Sequence, residues 1–182
     1  MKRFIIFLLF VLFIGCGVWK NDLKENGNKT VIIENVLLDF SNTSRYYKKD
    51  SVFSISFYDI NQETIAVTIL PYYNSLVLYP NDSIGQKSKS FPTHFIEMDN
   101  KLFYWYDFDE ILKQSTIDKL IEYNIVYFAN SNDFEIPENT CIDEKTKGTA
   151  YYICKNNFKN YKKVLSSIGV GYYEPPELNC HP

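Results

Sequence analysis

SVFSISFYDI at residues 51–60, followed by NQE and then TIAVTIL at 64–70, is the stretch that decides the fold class. Phe53, Ile55 and Phe57 alternate with Ser54 and Ser56, while Ile65, Val67 and Ile69 alternate with Thr64, Ala66 and Thr68. A two-residue period places alternate side chains on opposite faces of a pleated strand, so each segment reads as a strand with one apolar face. Asn61-Gln62 suits a turn between them, and the two segments read as a β-hairpin.

Working toward the C-terminus, Leu76–Tyr79 reads as a short strand between Pro71 and Pro80, and IGQKSKS at 84–90 as a polar loop. Thr93–Met98 and Leu102–Tyr106 flank Asp99-Asn100-Lys101, a second hairpin with suitable turn residues. Ser115-Thr116-Ile117-Asp118 has the form of a capping box, and Ile117, Leu120 and Ile121 share a helical face that Asn124 ends. Ile125–Ala129 reads as a buried strand, 130–148 as a polar loop and Thr149–Cys154 as another strand. Phe158, Tyr161, Leu165 and Ile168 fall at helical spacing after Asn156-Asn157 and before Gly169, predicting a second helix. A short strand near Val170–Tyr173 then leads into Pro175-Pro176 and an extended tail.

Working toward the N-terminus, VIIENVLLDF at 31–40 reads as a strand, with or without a bulge. Strands early and helices late predict an α+β fold: one domain over 30–182, a largely antiparallel sheet, and about two helices in the C-terminal half covering one sheet face.

The first residues carry an address. Lys2-Arg3 precedes the eleven-residue apolar run FIIFLLFVLFI, within the roughly 7–15 residues of a secretory signal and short of the roughly 20 a spanning helix needs. Phe13-Ile14-Gly15-Cys16 follows, and this segment resembles the lipobox of bacterial lipoproteins, with Phe13 where the family usually has Leu. The resemblance implies that residues 1–15 are a cleaved signal peptide and that Cys16 becomes the acylated first residue of the mature chain, carrying diacylglycerol and often an amide-linked fatty acid such as palmitate. It implies a lipid anchor in the inner or outer membrane of a bacterial envelope, with the domain outside the cytoplasm. GVWKNDLKENGNK at 17–29 reads as a polar tether.

Without residues 1–15, which carry Lys2 and Arg3, the formal charge falls from −3 to −5. An acidic domain argues against nucleic acid as a partner, because phosphate binding rests on a basic excess. With Cys16 acylated, Cys141, Cys154 and Cys180 remain in an oxidising compartment, an odd number that predicts one disulfide and one free thiol. Two pairings are open: Cys141 with Cys154 across a hairpin near Lys147-Gly148, or Cys154 with Cys180 pinning the tail.

Chemistry is sparse. The two histidines, His94 and His181, lack the surroundings of a catalytic triad, and zincin, Walker and dinucleotide motifs are absent, so no cofactor and no metal are expected. Tyr104, Trp105, Tyr106, Asp107 and Asp109, with Glu110, form the one constellation that suggests a binding surface, an aromatic platform ending in carboxylates. Lys155, Lys159, Lys162 and Lys163 read as the basic face of the second helix. The expected function is a non-enzymatic, membrane-anchored lipoprotein that binds a protein partner, with an immunity protein against an envelope-acting toxin as one form. A structural subunit of an envelope assembly and a carboxylate-dependent hydrolase are the alternatives.

Overall fold

The computed structural model describes residues 20–21, 27–72, 76–80, 82–88, 90–129, 147–167 and 176–181. The expected signal segment with Cys16, the loop containing Cys141, and the strand expected near 170–173 lie outside the described residues. The elements are β1 (Lys20–Asn21), α1 (Gly27–Thr43), α2 (Arg45–Lys49), β2 (Val52–Asp59), β3 (Thr64–Pro71), β4 (Leu76–Leu78), β5 (His94–Met98), β6 (Lys101–Trp105), α3 (Gln114–Glu122), β7 (Val126–Phe128), β8 (Lys147–Cys154) and β9 (Asn157–Ser167).

The fold is α+β. A seven-stranded sheet runs in the order β1-β5-β6-β2-β3-β8-β9, and β4 and β7 form a separate parallel pair. Within the large sheet only β2 and β6 run parallel. The hairpin expected at 51–70 is present, with Ile55 opposite Ile69 and Phe57 opposite Val67. Its turn is held by Asn61, whose side-chain oxygen accepts from the amides of Glu63 and Thr64 at 2.9 and 2.8 Å. The second hairpin turns through Asp99 and Asn100, both left-handed with φ of 52° and 58°, the backbone of a tight turn whose twist matches the strands.

Several expectations are corrected. VIIENVLLDF is helical, not a strand: Ile32, Ile33, Val36, Leu37 and Phe40 are all 4% exposed or less, and their spacing is that of one helix face. The β-branched residues favour a strand locally, but packing of that face against the sheet decides the outcome. The segment expected as a second C-terminal helix is β9, which pairs with β8 over Tyr151↔Lys163 and Ile153↔Tyr161 after a short turn at Lys155-Asn156. The described helices are therefore mostly N-terminal. α3 starts at Gln114 with Lys113 at the cap position, so Ser115 is inside the helix and not its cap, while Asn124 does follow the helix with a left-handed φ of 57°. β1 pairs Lys20 and Asn21 with Glu97 and Ile96, inside the range expected as a tether.

Both sheet faces are covered. α1 packs on the face carrying Phe53, Ile55, Val67, Ile69, Phe103 and Trp105. α3 and the β4–β7 pair pack on the other, against Val52, Phe95, Leu102 and Tyr104. The helices thus lie on opposite faces, not on one. Each fully buried aliphatic or aromatic side chain here contributes roughly 1.5–3 kcal/mol. Phe53 and Phe103 stack at 4.9 Å, with Phe40 of α1 edge-on to Phe53 at 5.3 Å.

Phenol-to-carboxylate hydrogen bonds join the layers at their margins. Tyr47 of α2 donates to Asp99 at 2.7 Å, Tyr123 after α3 donates to Glu97 at 2.8 Å, and Tyr151 of β8 donates to Asp39 of α1 at 2.9 Å. In each case the ring body is packed and the hydroxyl reaches a partner at the edge of the core.

Candidate functional site

The strand expected to offer an aromatic platform does not offer one. Tyr104 and Trp105 are each 1% exposed. Trp105 stacks on the buried His94 ring at 5.1 Å, and Tyr104 meets Tyr72 edge-on at 5.3 Å on the opposite face. Tyr106 lies at the rim between Tyr104 and Phe108, and burial pushes its phenol up to about 12. Asp107 and Asp109 organise the turn that follows. The Asp107 amide donates to Thr93 Oγ1 at 2.9 Å, the Glu110 amide donates to the Asp107 carbonyl at 3.1 Å, and Asp109 pairs with Lys87 at 3.1 Å in solvent.

What does reach the surface at that turn is apolar. The loops at 82–88 and 106–112 are joined by Gly85 N–H to Leu112 carbonyl at 2.9 Å and Leu112 N–H to Gln86 carbonyl at 2.8 Å. Leu112 is fully buried and anchors the pair, and Gly85 takes φ +80°, a conformation open to glycine. Ile84, Phe108 and Ile111 are then 55%, 62% and 45% exposed. Asp107, Asp109 and Glu110 belong to the same turn and outnumber Lys87, which pairs with Asp109, so these exposed apolar side chains form a ridge in a net acidic setting. Sequence reasoning missed Ile84 because it is a lone apolar residue in a polar stretch, and Ile111 because nothing local says that it is exposed while the adjacent Leu112 is buried; the pairing of two distant loops brings the segment of Ile84 to that of Phe108 and Ile111.

A second constellation was not anticipated at all. Asp39, near the end of α1, accepts from Tyr151 at 2.9 Å, from Tyr161 at 3.2 Å and from Lys163 at 2.8 Å, and Lys163 also donates to Thr43 Oγ1 at 2.8 Å. Burial by itself would raise the Asp39 pKa, but the Lys163 and tyrosine hydrogen bonds and the Lys163 charge together hold it below its ordinary value. Beside this cluster is a half-open cavity of about 320 Å³ bounded by Thr43, Arg45, Tyr46, Thr149, Lys163 and Leu165. The Arg45 guanidinium stacks over the Tyr46 ring at 5.1 Å and donates to its hydroxyl at 3.1 Å.

The lysines expected on one helix face are dispersed by the strand. Lys163 meets Asp39, Lys162 meets the Glu177 carbonyl, and Lys155 pairs with Asp59 at 2.9 Å and donates to the Asn61 carbonyl at 2.8 Å. His94 lies 2.9 Å from Thr93 Oγ1, and His181 is exposed, 3.8 Å from Glu63. Of the two disulfide pairings left open, Cys154–Cys180 is formed. Lys147 and Gly148 lie within β8 and not at a hairpin turn, which removes the geometry of the other pairing. The tail is further held by Asn156 and Asn160, whose side-chain amides donate to the carbonyls of Cys180 and Asn179 at 2.5 and 2.8 Å. Among the described residues no group of three or more His, Cys, Asp or Glu is placed to hold a metal ion, and no helix is long and apolar enough to cross a membrane.

Compared with models of known protein families, with curated proteins and with solved structures, the chain matches none.

Proposed function

We propose that this chain is a lipid-anchored protein of the bacterial envelope whose domain binds another protein through the ridge at Ile84, Phe108 and Ile111. The ridge carries the binding reading: three large apolar side chains stand exposed on two loops fixed by hydrogen bonds and a buried Leu112, in an acidic setting. A rigid apolar patch flanked by carboxylates suits a partner presenting apolar side chains among lysines or arginines. An immunity-type inhibitor of a basic, envelope-acting toxin is one form of this function. The address rests on Lys2-Arg3, the apolar run and Cys16, and the Cys154–Cys180 bond supports it, because such bonds persist in oxidising compartments.

Two measurements test the proposal. Cys16→Ala is expected to leave an unprocessed precursor without incorporated fatty acid; normal labelling of that variant refutes the anchor. Affinity capture from detergent-solubilised envelopes is expected to return one dominant partner with wild type and to lose it with Phe108→Ser plus Ile111→Ser, at unchanged melting temperature. Capture of several envelope proteins in equal amounts points instead to a subunit of an assembly.

A further inference from the structure

The cavity beside Asp39 shares no residue with the ridge, and its charge balance is specific. Lys163 is already compensated by Asp39 at 2.8 Å, while Arg45 meets no carboxylate among the described residues, only the ring and hydroxyl of Tyr46. The cavity therefore holds about one uncompensated positive charge, in a chain whose formal charge is −3. A guanidinium offers a planar fork of donors that fits a carboxylate with two parallel hydrogen bonds, and stacking on Tyr46 limits the ways it can turn. Lys163 has three protons, of which Asp39 and Thr43 take two. Thr149 adds a hydroxyl, and Leu165, 66% exposed, adds an apolar surface that nothing among the described residues covers.

We propose that this cavity binds a small monocarboxylate bearing a short apolar chain, its carboxylate on Arg45 and Lys163 and its chain on Leu165. The single net charge favours a monoanion over a phosphate monoester, which carries nearly two negative charges at neutral pH. The volume of about 320 Å³ is at the lower end of ligand pockets, so the guest is small.

Calorimetric titration of the full chain in detergent micelles with hexanoate, acetate and inorganic phosphate, against empty micelles, tests this. Hexanoate is expected to bind at least tenfold more tightly than acetate, and to shift the Leu165 methyl resonances. Arg45→Gln, at an exposed position where folding is not at risk, is expected to weaken hexanoate at least tenfold, with Arg45→Lys intermediate. Leu165→Ser is expected to remove the advantage of hexanoate over acetate and leave acetate unchanged. Equal binding by Arg45→Gln and wild type, tighter binding of phosphate than hexanoate, or no heat above that of empty micelles each overturns the proposal.

Discussion

Lys163 of the edge strand β9 lies 2.8 Å from Asp39 of α1, a pair separated by more than half the chain in sequence. The same carboxylate takes the hydroxyls of Tyr151 and Tyr161, so one helix residue fastens both strands of the β8–β9 hairpin.

Replacing Asp39 with Asn removes the ion pair and weakens three hydrogen bonds at once. A loss of about 1–2 kcal/mol is expected, the usual scale for charge-assisted bonds that are partly solvated. Because the folded Asp39 pKa lies below its ordinary value of 3.8, the carboxyl binds its proton less readily folded than unfolded. Its contribution is complete above that value and is lost as pH falls through the lower, folded value. Urea midpoints measured through the acid range should therefore draw together for wild type and D39N as pH falls below the ordinary carboxyl value and through the lower, folded one, and a constant gap between them would refute the linkage.

Alkali should unfold the protein cooperatively. Burial, aided by Asp99, Glu97 and Asp39 respectively, raises Tyr47, Tyr123 and Tyr151 above 10.0, and burial first of all raises Tyr104 and Tyr72. These phenols stay protonated in the fold but ionise in the unfolded chain. The stability they confer is present below pH 10 and declines as pH rises through and beyond it. Phenolate absorbance and circular dichroism should change together. Full phenolate signal from all fifteen tyrosines with native dichroism would contradict this.

The disulfide joins cysteines 26 positions apart, a loop for which constraint of the unfolded chain is worth about 3.5 kcal/mol. Cys154→Ser with Cys180→Ser should lower stability by about 2–4 kcal/mol and release residues 176–181 to protease while the sheet remains. Unchanged protection of the tail would mean that the Asn156 and Asn160 hydrogen bonds suffice alone.

Glycine normally weakens a strand, so replacing one with alanine tends to help. Gly148 is the reverse: a Cβ there would overlap the Leu70 side chain and stand 2.6 Å from the Ile69 carbonyl, a backbone atom of the neighbouring strand. Gly148→Ala should destabilise by about 1–3 kcal/mol, read from chemical denaturation, and Leu70→Ala in the same chain should recover part of the loss.

The hairpin at 51–70 was legible because its alternation is unbroken and its turn residue, Asn61, bonds its own neighbours. Helix α1 was not, because Val31, Ile32 and Ile33 favour extended backbone locally while the spacing from Ile32 to Phe40 favours a helix. β9 failed for the converse reason: Phe158, Tyr161 and Leu165 mimic a helix, and only the open edge of β8 shows why the segment is extended. Tyr104 and Trp105 are legible as strand residues of the second hairpin, but burial is a property of both faces, and the α3 layer over Tyr104 is not visible in the sequence. Neither Asp39 nor Arg45 carries any local mark of a site; Tyr46 and Thr43 are close in sequence, but Thr149, Tyr151, Tyr161, Lys163 and Leu165, which complete the cluster and the cavity, come from more than a hundred positions away.

The pairing of Lys20 and Asn21 with β5 has a geometric corollary for the proposed anchor. Three residues separate Cys16 from Lys20, and the four residue steps between them reach about 14 Å when fully extended. A domain held so short could not sweep the periplasm or the outer surface on a leash. Its β1–β5 margin would stay within that short reach of the headgroups, and the surfaces far from this margin would be the ones open to a partner.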